Sequence, residues 1–235
     1  MRFLSHEGYQ VLRITEAVSL LQETSELSVA LDSQSPMVVI TFDDGLRDFY
    51  TNAFPILDKF GFKASVFLTS GLIDKTFITG RECLKTEEIK ELAANGIEFG
   101  SHTVNHPQLK ALSRNEIVHE LAHSKKIIED IIGYPVSLFS YPYRFPEEDP
   151  IFIKMFGKLL GELGYSIGVS TIIGITKKKD NVLFLKRLPV NDCDDTRFFQ
   201  AKLEGAYSWL HTVQLIYKKF RAMFLDLKTN IAKIF

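Results

Sequence analysis

"VVITFDDG", residues 38–45, runs from β-branched residues straight into two adjacent carboxylates and a glycine. A short apolar run closed by turn residues is the pattern of a buried strand. Runs of the same kind recur at "ASVFLT" 64–69, "IEFGS" 97–101, "SLFSY" 137–141, "YSIGVS" 165–170 and "LFLKRL" 183–188. Stretches of helical period separate them. One opens on Ser113 and Glu116, a capping box, repeats Ile117, Leu121, Ile127, Ile128 and Ile131, and stops at Gly133. Another begins at Thr86 with Glu87 and Glu88 in its first turn and ends at Asn95-Gly96, directly before "IEFGS". This alternation predicts an α/β fold of repeated βα units around a mainly parallel sheet or barrel.

The chain has 235 residues, 46% hydrophobic and 24% charged, enough for one large core. Its 28 Lys and Arg against 29 Asp and Glu leave a net charge of -1, so no overall field draws it to nucleic acid. Cys83 and Cys193 stand far apart and suggest neither a disulfide framework nor a cysteine metal site. His6, Glu7 and Glu16 interrupt the first apolar stretch, which argues against a signal peptide, and no run reaches the roughly 18 apolar residues of a membrane span. A cytoplasmic location is the expectation. Residues 218–235 hold Lys218, Lys219, Arg221, Lys228 and Lys233 against Asp226, with Phe220, Phe224, Leu227 and Ile231 at helical spacing. Such a tail fits a terminal helix packed on the domain or an amphipathic face lying on an anionic membrane. The expected division is therefore a main domain over 1–195 and a helical extension over 196–235.

Ligands of parallel βα folds bind at the carboxyl ends of the strands, so polar residues there carry the most information. Asp43 and Asp44 end the first run, and Gly45 permits the turn behind them. Two carboxylates so close repel each other unless a cation lies beside them. After the "IEFGS" run come His102 and His106, an H-x3-H pair whose spacing on one helical turn chelates a transition metal. Two histidines and one aspartate make a facial set with open positions for water, suited to Zn²⁺ or another divalent first-row ion. Tyr141-Pro142-Tyr143 makes a rigid aromatic turn after the next run. His6, His119, His123 and His211 sit at no strand end and read as ordinary helix or surface residues.

In this order, "TFDDG", "HTVNH" and "FSYPY" resemble the first three motifs of the polysaccharide deacetylase family, with its NodB homology domain, the carbohydrate esterases of family four. The likeness runs from about "GYQVLRITEAVSLL" to "KRLPV". It implies a distorted (β/α)7-type barrel that hydrolyses N-acetyl groups on amino sugars with the help of one ion. By the same resemblance Asp44, His102 and His106 bind that ion, Zn²⁺ first and Co²⁺, Ni²⁺ or Mn²⁺ as alternatives. Asp43 is the general base, the backbone N–H of Tyr143 faces the oxyanion, and Tyr141, Pro142 and Tyr143 line the sugar. The substrate implied is a polysaccharide, a cell-wall glycan or a lipid-linked sugar precursor.

Two departures from the family pattern stand out. Ser140 occupies the place where many relatives carry an arginine that orients the base, and Arg144 replaces the usual following glycine. Arg187, at the end of "LFLKR", is the candidate to take over the orienting role. No L-x-H strand follows "KRLPV" to supply the acid histidine of many members. Some relatives take it from an upstream strand, which this sequence starts too late to include. A carbohydrate-binding member without catalysis, and an amidase acting on a non-sugar amide, stay open as alternatives.

Overall fold

Residues 1–23, 35–77 and 79–207, with Trp209, Val213 and Leu215, are described by the computed structural model. In chain order the elements are α1 (Arg2–His6), β1 (Gln10–Leu12), α2 (Ile14–Glu23), β2 (Met37–Val39), β3 (Thr41–Phe42), α3 (Phe54–Lys59), β4 (Ser65–Leu68) and α4 (Thr86–Ala94). They continue with β5 (Glu98–Ser101), α5 (Arg114–Ile132), β6 (Leu138–Ser140), α6 (Pro150–Glu162), β7 (Ile167–Ile173), β8 (Leu185–Arg187) and α7 (Thr196–Leu203). Strands β3 to β8 pair in sequence order as a parallel, curled half-barrel of six, and β1 pairs with β2 beside it. Only Ile40 separates β2 from β3, and its carbonyl still accepts from Ser65 N–H at 3.0 Å. The two halves therefore act as one bent strand.

Both faces of the sheet are covered, as parallel sheets require. Val66, Leu68, Phe99 and Phe139 point to the outer face and join Leu92, Ile117, Leu121, Phe156 and Leu160 of the helices in the larger core. Phe67, Leu138, Ile167, Val169 and Leu185 point the other way, where Ile14 and Val18 of α2 close over them. The register carries this alternation across the sheet, with Thr41 opposite Ser65, Phe67 opposite Gly100, and Leu138 opposite Ile167. Following the pleat upward, Asp43, His102, Ser140 and Arg187 fall on the inner face at one end. The fold thus gathers them before any loop is considered.

Helix α5 keeps the predicted boundaries. Ser113 Oγ accepts from Glu116 N–H, Glu116 Oε2 accepts from Ser113 N–H at 2.7 Å, and Gly133 closes the helix at φ 80°. Several strand limits shift. The "VVIT" run is divided at Ile40, "YSIGVS" starts later and extends to Ile173, and a 3-10 turn over Val182–Phe184 takes the start of "LFLKRL". Strand β1 was not predicted, because three residues between two helices carry no pattern of their own. Helix α7 docks through Lys202, whose Nζ donates to Pro189 O at 2.8 Å and to Asp194 Oδ2 at 2.7 Å. The charged tail over 218–235 and His211 lie outside the described residues. Among the described residues no helix is long and apolar enough to cross a membrane.

Gly168 marks the tightest approach in the sheet: a Cβ there would stand 2.1 Å from the Leu183 carbonyl oxygen. Backbone cannot yield as a side chain does. Gly168→Ala is expected to cost about 1–3 kcal/mol, as overpacking does, and to lower the thermal midpoint. An unchanged midpoint in differential scanning calorimetry would contradict the close packing.

Candidate active site

Asp43 follows β3 on the inner face, where two side chains meet its carboxylate. Arg187 grips it with a two-pronged bond, Nη1 to Oδ1 at 2.9 Å and Nη2 to Oδ2 at 2.8 Å. Ser140 Oγ donates to Oδ1 at 3.0 Å. The guanidinium is itself held by Ser170 O, which accepts from Arg187 Nε at 3.0 Å. Burial alone would raise the Asp43 pKa, but the Arg187 charge, with smaller help from His102 and the hydrogen bonds, brings it to about 2. This carboxyl is an anion, fixed in direction and stripped of rotational freedom.

Asp44 turns the other way because its backbone takes φ 72°, with Gly45 next at φ 70°. A Cβ at Gly45 would meet Leu68 Cδ2 at 2.8 Å, so glycine is needed both for its dihedral and for space. Asp44 Oδ1 lies 3.5 Å from His102 Nε2 and 3.4 Å from His106 Nε2, and the three donor atoms all fall within 4.8 Å of one another. These separations are long for hydrogen bonds. They match two ligands on one tetrahedral ion, which stand about 3.3–3.4 Å apart when each bond is about 2.0–2.1 Å. Among the described residues this is the one such cluster of three.

The protonation pattern also fits an ion. His102 Nδ1 lies 2.8 Å from the Ser140 carbonyl, which only accepts, so Nδ1 carries a proton and Nε2 is the ring nitrogen left to face Asp44. Burial and the neighbouring His102 push the His106 imidazole below its ordinary pKa, favouring the neutral ligating form. His106 Nδ1 is buried without a hydrogen-bond partner among the described residues. Its ring stands instead between Tyr143, at a centroid distance of 4.4 Å, and Phe77 at 5.5 Å.

Two expectations need correction. The H-x3-H pair is not on a helical turn: His102 follows β5, and the loop reaches His106 through left-handed backbone at Thr103 (φ 70°) and His106 (φ 55°). The imidazoles converge by that reversal rather than by helical period. Tyr141 does not line the mouth. It is 2% exposed, and its ring packs on Phe145 at 5.0 Å and Phe156 at 5.5 Å in the outer core. The pleat sends Ser140 inward and its neighbour outward, and Pro142 is buried beside it. Only Tyr143 of the aromatic turn reaches the mouth, half exposed and at φ 55°.

Among the described residues, four of the five non-glycine residues with positive φ are Asp44, Thr103, His106 and Tyr143. Backbone strain is thus concentrated at this one place, as it is where function over-determines geometry. Arg144 is turned away in an ion pair with Glu148 at 2.9 Å. His119 and His123 stack at 3.9 Å on the exposed face of α5, and His6 lies on α1. Sequence reading missed Ser140 as a donor to Asp43 and Glu120 as a buried carboxylate beneath the histidine loop, since neither has a local signature.

Comparison with known proteins shows the family. A polysaccharide deacetylase family model matches residues 30–154. The Bacillus subtilis (strain 168) protein YxkH, assigned to the polysaccharide deacetylases, is 32% identical over 205 residues, which is 87% of this chain and 67% of its own. Poly-beta-1,6-N-acetyl-D-glucosamine N-deacetylase of Staphylococcus aureus (strain MSSA476) is 24% identical over 164 residues, 66% of this chain. The aligned part spans about half, 54%, of that relative's length. Among solved structures, the Streptococcus pyogenes deacetylase PplD in complex with acetate superposes with a TM-score of 0.72 at 25% identity, over 86% of this chain and 83% of its own. IcaB from Ammonifex degensii shares the fold with a TM-score of 0.69 at 23% identity, over 87% and 86%.

Proposed function

Because the chain belongs to the polysaccharide deacetylase family, we propose that it is a divalent-metal hydrolase that removes N-acetyl groups from the amino sugars of a glycan chain. The observation that carries the reading is the division of labour between two adjacent carboxylates. Asp44 faces two imidazole nitrogens, while Asp43 is held apart by Arg187 and Ser140. The N-acetylglucosamine polymer named for the Staphylococcus aureus relative supports a substrate of that class.

Asp44, His102 and His106 are the residues that would hold the ion, and Zn²⁺ is our choice for a mixed nitrogen and oxygen set, with Co²⁺, Ni²⁺ or Mn²⁺ as substitutes. When bound, such an ion polarises the acetamide carbonyl and lowers the pKa of water. Asp43 takes one proton from the attacking water as the carbon–oxygen bond forms. The backbone N–H of Tyr143 would donate to the oxygen that gains charge, and its exposed ring offers a face to the sugar. As the carbon–nitrogen bond breaks, Asp43 returns its proton to the departing amine, leaving acetate and a free amino sugar. Among the described residues the other histidines lie on α1 and α5, and we assign the return of the proton to Asp43.

The test is acetate release from β-1,6-linked N-acetylglucosamine oligomers by Zn²⁺- or Co²⁺-loaded protein, with free amine measured alongside. One amine per acetate is expected. Tight oligomer binding with no acetate would show the chain to be a carbohydrate-binding member, and turnover of simple amides alone would move the substrate class.

A further inference from the structure

His102 and His106 are aimed by different means. The first has its ring fixed by the Ser140 carbonyl, whereas the second has no partner on Nδ1 among the described residues, so its direction depends on the rings packed beside it and on the backbone that carries it. That backbone bends through left-handed dihedrals at Thr103 and His106 itself, conformations that residues with a Cβ hold only when their surroundings impose them. On one side the 3-10 turn after β4 imposes them: Ser70 N–H donates to Thr103 O at 3.0 Å and Gly71 N–H to Val104 O at 2.9 Å. Within the loop, His106 N–H donates to Thr103 Oγ1 at 3.0 Å.

On the other side stands Glu120 of α5, only 6% exposed. Its Oε2 accepts from Val104 N–H at 2.8 Å and Asn105 N–H at 2.9 Å, and its Oε1 accepts from Asn105 Nδ2 at 2.7 Å. All three bonds go to the residues between the two histidines. A carboxylate nearly excluded from water is costly unless its oxygens are satisfied, and here a single loop segment satisfies them.

We infer that Glu120 is the positioning residue for the second histidine ligand, holding the 103–106 loop in the shape that lets His106 share an ion with Asp44 and His102. It touches neither the ion nor the substrate. The inference rests on the metal-site reading above, and it makes α5 part of the site's machinery as well as its core.

The test titrates Co²⁺ into metal-free protein and reads affinity and the visible d–d absorption, with Zn²⁺ affinity from chelator competition. Glu120→Ala is expected to weaken binding about 10–100-fold, as loss of a group supporting a metal ligand does, and to change the band shape while all three ligands remain. Glu120→Gln is expected to stay within about threefold, since its oxygen still accepts both backbone N–H groups and the Asn105 amide turns over to accept from the new NH₂. Glu98→Ala is the control: Glu98 accepts from Ile14 N–H at 3.1 Å and Ser65 Oγ at 2.7 Å at the far ends of β4 and β5. It should lower the thermal midpoint and leave Co²⁺ affinity unmoved. Glu120→Ala binding Co²⁺ like the wild type, or losing no more than Glu98→Ala, overturns the inference. If Glu120→Ala does not fold, Asn105→Ala removes one of the three bonds, and a loss of threefold or more is expected where no loss would overturn it. A wild-type chain that takes up no Co²⁺, or an Asp44→Ala variant that takes it up equally well, overturns instead the metal reading itself.

Discussion

Asp43→Asn is expected to lower the rate of acetate release about 10²–10⁴-fold while the protein still takes up one equivalent of Co²⁺, and Asp44→Ala is expected to lose the ion. The two aspartates are consecutive, yet the backbone at Asp44 sends them to different partners. Asp43 meets a guanidinium and a hydroxyl, neither of which changes in number when the carboxylate becomes an amide. Asparagine there keeps the volume and one acceptor oxygen but cannot take a proton from water or return one to an amine. The loss therefore falls on kcat. Asp44 supplies one of three donors, and without it a pair of imidazoles holds a divalent ion far less tightly. Loss of the Lewis acid forfeits several kcal/mol of charge stabilisation, roughly 10³-fold or more in rate. Stopped assays together with Co²⁺ titration of both variants separate the cases. Uptake of Co²⁺ by Asp44→Ala and not by Asp43→Asn would mean that the two roles are reversed.

How much of this was legible in the sequence depends on the range of the interaction. The capping box at Ser113, the left-handed stop at Gly133 and the strand runs are local, and the fold keeps them within a few residues. The Asp-Asp-Gly turn is local too, since the repulsion of its charges and the demand for glycine are read from neighbours alone. The H-x3-H pair was found for a reason the structure corrects. Its convergence comes from a reversed loop that Glu120 and the turn after β4 impose, and a helical period plays no part. The placement of Tyr141 was legible in principle, because the alternation that turns Phe139 outward does the same two residues later. The grip of Arg187 on Asp43 joins positions 144 residues apart and exists only because β8 lies on the same inner face. No pattern along the chain records such a meeting, although the arginine at a strand end was the one residue whose placement suggested it.

Arg187→Ala is expected to lower kcat about 10²-fold, to leave KM and Co²⁺ affinity within a few-fold, and to cost about 1–3 kcal/mol in stability. The guanidinium makes two near-parallel bonds to Asp43, a third to Ser170 O at 3.0 Å and a fourth contact to Ser140 Oγ at 3.3 Å. Without it the carboxylate retains, among the described residues, Ser140 as its one side-chain donor, on one oxygen, and rotates away from the position in which it faces the attacking water. Arg187→Lys keeps the charge but not the fork, so an intermediate rate is expected. The sharper test moves the arginine. Ser140 lies on the same inner face, its Oγ already 3.0 Å from Asp43 Oδ1, and Arg187→Ala clears the volume beside them. Ser140→Arg in the Arg187→Ala background is therefore expected to recover at least tenfold of the lost rate, by returning a cation to the same carboxylate from β6. If Arg187→Ala keeps the wild-type rate, the base needs no orienting charge. If its rate falls but the second substitution leaves both the rate and the thermal midpoint where they were, the grip is one that only β8 can supply.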